Sequence, residues 1–277
     1  MSRLSFVIDN AADRATIVAS STAGALTTAN LKTNELSEVW RSTGTTATLT
    51  FTWSQYEDVG GVALGWTNMT STATVTIDVF AEAADVTPIG SMTVGADVAM
   101  PMGEFNWGLD PLMLRTSQAA GLATQAQAWF YQSMIAKKVV ITLSDPDNTD
   151  GYVQVTKACI GPMVSLSTNP GYGVRVEFVD RGKSTRTESG SLRCEPRGVY
   201  RKITVDYRSI VQSDTHTLLS VLHASRVMPI FMSVFPSTGD LRTQMYSIFA
   251  MTMSQINNSY VSPDRWDFQA VTFEEIA

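Results

Sequence analysis

The sequence predicts a mainly β protein, in which an N-terminal β-sandwich or jelly roll with one inserted helix is followed by a small α+β domain. Short segments alternate apolar and polar residues with the period of two that half-buried strands have. Glycine and proline residues separate these segments at the spacing of antiparallel β-proteins. The chain has 277 residues, of which 44% are apolar and 17% charged, so it can bury a sizeable core.

Four strands are predicted in the first 180 residues, at 46–53, 74–80, 139–143 and 152–155. In the first of them, alternate residues from Ala47 to Trp53 are apolar and the residues between them are threonines. Threonine suits a pleated surface because its β-branched side chain has a stiff χ1 angle that strands tolerate. We interpret Gly61 and its neighbour Gly60 as a break between strands.

One helix is predicted to interrupt these strands, over residues 117–138. The segment is rich in Ala and Gln, which favour helices, and its apolar residues recur every three or four positions. Ser117 is a suitable N-cap, and Lys137 with Lys138 would complement the dipole at the C-terminal end. The preceding residues 85–114, rich in Pro, Gly and Met, predict a long ordered loop.

The composition changes near residue 180. Residues 181–198 form the most charged window and predict a polar hairpin or a connection between a domain at 1–180 and a domain at 199–277. The last segment reads as β-α-β-β-β, with a first strand at 200–207 and a helix capped by Ser213 and Asp214. Three further apolar strands are predicted at 230–235, 246–256 and 266–273.

Composition excludes several function classes. Twenty Lys and Arg against twenty-six Asp and Glu give a net charge of −6, which opposes non-specific nucleic-acid binding. The two cysteines, Cys159 and Cys194, exclude a disulfide scaffold and a four-thiolate zinc site. The sequence contains no run of eighteen apolar residues, so we expect no transmembrane helix, and we expect no secretory signal at the N-terminus. We therefore expect no enzyme activity, cofactor, nucleic acid or membrane insertion.

Two polar groups could hold a metal. Asp145, Asp147 and Asp150 would suit calcium, but the EF-hand spacing fails, and an Asx-type turn that joins 139–143 to 152–155 as a hairpin explains them better. His216 and His223 are seven residues apart on the predicted helix, about 10 Å, which is too far to share one ion. We expect no metal and no catalytic residue.

Two blocks of sequence carry a resemblance to a known family. The first is NELSEVWRSTG at 34–44 with TLTF at 48–51, and the second is ITLSDPDNTDGYV at 141–153 with IGP at 160–162. They resemble a signature of structural proteins from tailed-bacteriophage virions, in which such a segment opens a discoidin-like (galactose-binding-like) jelly roll. The sequence TKA at 156–158 departs from that pattern, where a Gly-Arg pair is expected. Trp40 in the first block is read as a core anchor.

The resemblance implies a structural component of a virion. It implies a tail-tip or baseplate protein, similar to distal-tail proteins, that forms a symmetric ring with itself and contacts other tail proteins. It places the protein in the virion tail after assembly in the bacterial host cytoplasm. Residues 1–180 would be the discoidin-like jelly roll, and 199–277 a small tail-associated domain.

A second function class stays open, a carbohydrate-binding adhesion module that contacts a glycan of the host surface. Discoidin-like folds often bind sugars through loops at one end, and Trp66, Trp107 and Tyr172 are in loop-like segments. Their faces could stack on sugars, with hydrogen bonds from polar neighbours: Asn68, Asn106 or Asp110. The alternative, which the composition of interfaces favours, is that these aromatic residues anchor loops or subunit contacts.

The last strands are unusually apolar and predict a contact between subunits. Strands that are poor in charge leave edges that a neighbouring subunit can cover. Phe231 and Thr272 are therefore candidate contact residues, together with Trp66, Trp107 and Tyr172. Replacing a core Phe231 by Ala would cost about 3–5 kcal/mol, whereas Thr272→Lys would spare the fold and weaken association.

Overall fold

The computed structural model describes the following residues: 3–70, 72–95, 124–171, 173–186, 188, 190–195, 198–236, 241–252 and 257–276. The chain divides into two compact units, Met1–Ser165 with Ile230–Ser247, and Leu166–Pro229 with Ile248–Ala277. The predicted domains at 1–180 and 199–277 have other bounds than these units. That residues 1–180 and 199–277 are separate domains stays a prediction.

Strands form most of the described structure, which confirms the predicted mainly β class. In chain order the strands are β1 Ser5–Val7, β2 Thr16–Ala19, β3 Trp40–Arg41, β4 Thr46–Thr67, β5 Thr74–Phe80, β6 Gly90–Gly95, β7 Thr124–Ser144, β8 Gln154–Val155, β9 Lys157–Gly161, β10 Met163–Ser165, β11 Arg175–Asp180, β12 Lys183–Arg186, β13 Leu192–Glu195, β14 Val199–Val211, β15 Ile230–Ser233, β16 Ser247–Thr252, β17 Asn257–Ser262 and β18 Arg265–Glu275. The helices are α1 Gln212–Val227 and α2 Leu241–Met245, with 3-10 turns at Ala11–Arg14 and Thr28–Lys32.

The first unit is built on antiparallel pairs. Its main sheet has the order β2-β4-β7-β5-β6, and β9 also pairs with β4. β1 lies between β10 and β15, and β3 pairs with β8. The core fills the inner faces of these pairs, and the predicted anchor Trp40 is completely buried in it.

Strand β4 shows why alternation was a sound signal. Ala47, Leu49, Phe51 and Trp53 are buried, and the threonines between them are half-buried, as predicted. The strand continues to Thr67, through the glycines that were interpreted as a break. The interpretation as a break is therefore wrong. Glycine is needed inside the strand, because a Cβ on Gly61 would lie only 2.6 Å from a methyl carbon of Val7. The glycines permit close packing inside a strand rather than ending it.

The predicted helix at 117–138 is wrong where the structure describes it, because 124–138 belong to β7. Residues 117–123 lie outside the described residues. β7 pairs with β4 on one side and with β5 on the other. Ala and Gln are good helix formers, but intrinsic propensity amounts to less than about 1 kcal/mol per residue, and this long-range pairing overrides it. The buried amide of Gln127 donates from Nε2 to Ser247 Oγ at 3.1 Å and accepts from Trp129 Nε1 at 2.8 Å.

Two further expectations for the first unit need correction. The predicted loop at 85–114 contains β6, which pairs with β5 over residues 90–95, and its residues 96–114 lie outside the described residues. The predicted hairpin between 139–143 and 152–155 is also wrong. The turn forms, with Asn148 N bonded to Asp145 O at 3.1 Å, but β8 then pairs with β3 and not with β7.

The second unit combines a sheet with one helix. The strands follow the order β16-β18-β14-β11, with β17 also paired to β18, and β12 pairs with β13 as a separate hairpin. Helix α1 buries Leu218, Val221 and Leu222, the apolar positions that predicted it. Its N-cap is Val211, so Ser213 and Asp214 lie inside the first turn and do not cap it. Among the described residues no helix is long and apolar enough to cross a membrane.

Candidate functional site

A polar and aromatic group lies in the first unit where β3, the end of β4 and the turn before β8 meet. The Arg41 guanidinium carbon lies 4.0 Å from the centre of the Tyr152 ring. Arg41 also donates from Nη2 and Nε to Gln154 Oε1, at 2.8 and 3.3 Å. We refer to Arg41, Asn68, Asp150, Tyr152 and Gln154 as the Arg41 cluster.

The pairing of two short strands places Arg41. In the β3–β8 register Trp40 faces Val155 and Arg41 faces Gln154. Because side chains alternate along a strand, the buried Trp40 and Val155 leave Arg41 and Gln154 on the opposite, half-buried side. The cluster thus lies on the face of this strand pair opposite Trp40, one of the largest buried side chains of the first unit.

Asn68 connects the end of β4 to the turn before β8. Its Nδ2 donates to Asp150 Oδ2 and to Tyr152 O, both at 3.0 Å. Its Oδ1 accepts from Gln154 N at 2.8 Å. With its amide fully used in this way, Asn68 fixes the positions of Asp150, Tyr152 and Gln154 at once.

Asp145 stabilises the same turn through hydrogen bonds to its carboxylate. Its carboxylate is completely buried and accepts from Thr70 N at 2.8 Å, Thr70 Oγ1 at 2.5 Å and Asn148 Nδ2 at 3.0 Å. Asp150 N in turn donates to Asn148 Oδ1 at 3.0 Å, an Asx turn. Of the three aspartates that could have suited calcium, Asp145 is buried and hydrogen-bonded, whereas Asp147 and Asp150 are exposed. Within the described residues no group of three His, Cys, Asp or Glu is arranged to hold a metal ion.

The cluster presents complementary charges beside an aromatic ring. Arg41 carries a positive charge, and its Nη1 has no hydrogen-bond partner among the described residues. Asp150 is exposed and offers its Oδ1, the carboxylate oxygen to which Asn68 does not donate. Such an arrangement can donate to, and accept from, the hydroxyl groups of a ligand that stacks or lies nearby.

A second group of charged and aromatic side chains lies elsewhere in the first unit, and its members bind one another. Lys137 Nζ lies 4.2 Å from the centre of the Tyr56 ring and 3.0 Å from Glu82 Oε2, and the Tyr56 hydroxyl donates to Glu82. The hydrogen bond from Tyr56, then that from Lys137, lowers the pKa of Glu82. Because its members bind one another, this group leaves fewer free donors than the Arg41 cluster does.

The structure places three of the five predicted contact residues. Trp66 is half-buried near the end of β4 with a positive φ of 50°, and its carbonyl accepts from Thr156 Oγ1 at 3.2 Å. Phe231 is completely buried and stacks on Trp129 at 5.8 Å between ring centres. Thr272 is half-buried in β18, and its hydroxyl lies 3.0 Å from that of Thr204.

The other predicted contact residues, Trp107 and Tyr172, lie outside the described residues, as do Asn106 and Asp110. As interface or glycan contacts all five residues stay predictions. His216 and His223 are exposed on α1.

The sequence points to Asn68 as a hydrogen-bonding residue and to Asp150 only as a possible calcium ligand, and it does not single out the other members of the cluster. In the sequence Arg41 is only one residue of the first block, and Tyr152 and Gln154 are residues of the predicted strand at 152–155. A signal was present: Tyr152 and Gln154 alternate with Val153 and Val155, which predicts one polar face on a strand of the jelly roll. What the sequence does not reveal is which segment pairs with this strand, because Arg41 and Gln154 are 113 residues apart in the chain.

Comparison with known proteins gives partial likenesses of strand arrangement. The sequence matches no protein-family model and no curated protein. A chitosan-binding module from a chitosanase/glucanase of Paenibacillus sp. IK-5 is 17% identical, covers 55% of this chain and 98% of its own, and has a TM-score of 0.38. The lectin domain of lectinolysin, in complex with Lewis B antigen, is 15% identical over 56% of this chain and 96% of its own, with a TM-score of 0.37.

A fucose-binding module of Streptococcus pneumoniae is 10% identical over 55% of this chain and 96% of its own, with a TM-score of 0.36. Such TM-scores carry no functional argument.

Proposed function

We propose that the protein binds carbohydrate without turning it over, and that the Arg41 cluster is the binding site. The observation that carries the proposal is the Arg41 guanidinium, whose carbon lies 4.0 Å from the centre of the Tyr152 ring and whose Nη1 has no partner among the described residues. The Asp150 carboxylate belongs to the same cluster. A sugar hydroxyl is both a donor and an acceptor, so the guanidinium and the carboxylate of this cluster can each bind a hydroxyl group of a ligand.

Preorganisation supports this proposal. Arg41 is fixed by Gln154 and Tyr152, and Asp150 by Asn68, so little side-chain entropy remains to be lost when a ligand binds. Charge-assisted hydrogen bonds are roughly twice as strong as neutral ones. A single sugar held by so few polar groups is expected to bind weakly, with a Kd on the order of 1 mM, about −4 kcal/mol.

A panel of immobilised and free glycans, screened with wild-type protein and variants, tests the proposal. Arg41→Gln and Asp150→Asn are expected to reduce binding at least tenfold. Arg208→Gln removes an exposed positive charge of the second unit and serves as the matched control, so it should bind as wild type does. Thermal unfolding of each variant verifies that the fold is retained. Wild-type protein that binds no glycan, or Arg41→Gln protein that binds normally, would contradict the proposal.

A second candidate function is a structural component of a phage tail that assembles as a ring in the virion. Its support is the resemblance of the blocks between 34 and 162, together with large apolar side chains on the surface of the chain. Tyr131 is 74% exposed, Val227 69% and Tyr260 60%. A density map of purified particles that contains the chain in stoichiometric copies would favour this function; its absence from particles would exclude it.

A further inference from the structure

The hairpin of β12 and β13 continues one strand pair beyond the sheet of the second unit. β11 pairs with β14 up to Asp180 and Val199. The Arg181 amide then bonds to Gly198 O at 3.3 Å, and β12 and β13 pair from Lys183 with Glu195 to Arg186 with Leu192. We refer to residues 181–198 as the β-arm.

The β-arm gains little from its own side chains. Every side chain that the structure describes in β12 and β13 is exposed, including Leu192 at 58%. At the base of the arm Val199 and Phe178 are also about half exposed, at 52% and 49%. A two-stranded hairpin without an apolar face is at best marginally stable in water. A contact with another surface would account for an arm of this kind.

Charge indicates which surface that is. Residues 181–197 hold five Lys and Arg and only two Asp and Glu, although the whole chain is acidic. The remaining residues then hold fifteen basic and twenty-four acidic side chains. The first 95 residues alone have nine acidic and four basic ones, with Glu35 and Glu38 exposed. A second copy of the chain therefore offers exposed acidic side chains, such as Glu35 and Glu38, that a basic arm complements.

We infer that the β-arm docks on the acidic surface of a second copy of this chain. Contact between two different surfaces of identical chains is heterologous, and it closes into a ring when the rotation permits. Charged side chains on a short hairpin disfavour edge-to-edge strand pairing. The contact is therefore made by side chains and is screened by salt. The inference goes beyond carbohydrate binding and does not depend on it, and it assigns residues to the self-assembly of the second candidate function.

Sedimentation velocity of the full chain over a range of protein concentrations tests this inference. The test variant is Arg186→Glu with Arg193→Glu, two exposed positions that do not face an acidic residue across the hairpin. The matched control is Arg3→Glu with Arg208→Glu, two exposed positions with the same change in net charge. Wild type and control should self-associate at low salt. The arm variant should associate at least tenfold more weakly.

Salt supplies a second readout, since raising the ionic strength from about 0.1 M to about 1 M shortens the Debye length from about 10 Å to about 3 Å. Association of wild type should weaken steeply over that range. Milder variants, Arg186→Gln with Arg193→Gln, test the arm if the doubly reversed protein fails to show a native circular dichroism spectrum. Wild-type protein that stays monomeric, or that instead binds a nucleic acid, would overturn the inference. So would an arm variant that associates like the control.

Discussion

Asp145 shows how one buried carboxylate sets the position of an exposed site. Both of its oxygens accept hydrogen bonds, from the backbone and side chain of Thr70 and from the amide of Asn148. Through Asn148 it holds the turn that carries Asp150 and Tyr152. The sequence places three aspartates in this turn, but only the structure shows that one of them is a support and another is free to meet a ligand.

Replacing Asp145 by Asn is expected to lower the free energy of unfolding by about 1–3 kcal/mol, because an amide NH₂ would face donors that now lack an acceptor. Asp147→Asn, in the same turn but exposed, should change it by less than about 0.5 kcal/mol. Urea unfolding of both variants measures the difference. Equal stabilities of the two variants would show that the hydrogen bonds of Asp145 contribute nothing measurable.

Cys159 is a cysteine whose thiol is made unreactive by its buried position. Burial raises the pKa of the thiol to about 12, with the nearby Lys157 opposing that rise. We expect no alkylation of Cys159 by iodoacetamide in the native protein at pH 8, and complete alkylation in guanidinium chloride, because only the thiolate reacts. Mass spectrometry of the peptide that contains residue 159 measures this. Rapid labelling of the native protein would show that β9 opens locally.

At the scale of elements, local pattern predicted strands well and long-range pairing poorly. The strands at 46–53 and 74–80 follow from alternation, because one face of each is buried and the other is not. The part of β7 at 139–143 was predicted as a strand and is one, but the part at 124–138 was not. Residues 125–130 are all buried, and the amide of Gln125 is bonded far along the chain. A strand of this kind has no period-two signature to find.

Phe231 in β15 tests how much one element depends on packing. Its ring is completely buried and stacks on Trp129 of β7 with an interplanar angle of 22°. Phe231→Ala is expected to cost about 3–5 kcal/mol, and Phe231→Leu clearly less, because leucine refills most of the cavity. Chemical denaturation measures both. An alanine variant as stable as wild type would mean that β15 is not part of the core.

At the scale of the whole molecule, the two proposals combine into one measurable consequence. The Arg41 cluster lies in the first unit and the β-arm in the second, so removing one should leave the other intact. Free monosaccharide should bind equally well to wild type and to Arg186→Glu with Arg193→Glu, because a soluble sugar occupies each site independently. On a dense glycan surface, however, an assembled protein engages several sites at once, and its later contacts are effectively intramolecular.

Biolayer interferometry on such a surface should therefore give wild type an apparent affinity about 10²–10⁴-fold above that of the arm variant. Arg41→Gln should fail on the surface and in solution while assembling normally. If the arm variant matched wild type on the glycan surface, the assembly would not present its binding sites to one plane. If Arg41→Gln also stopped assembling, the two functions would share residues, and the separation between them would be wrong.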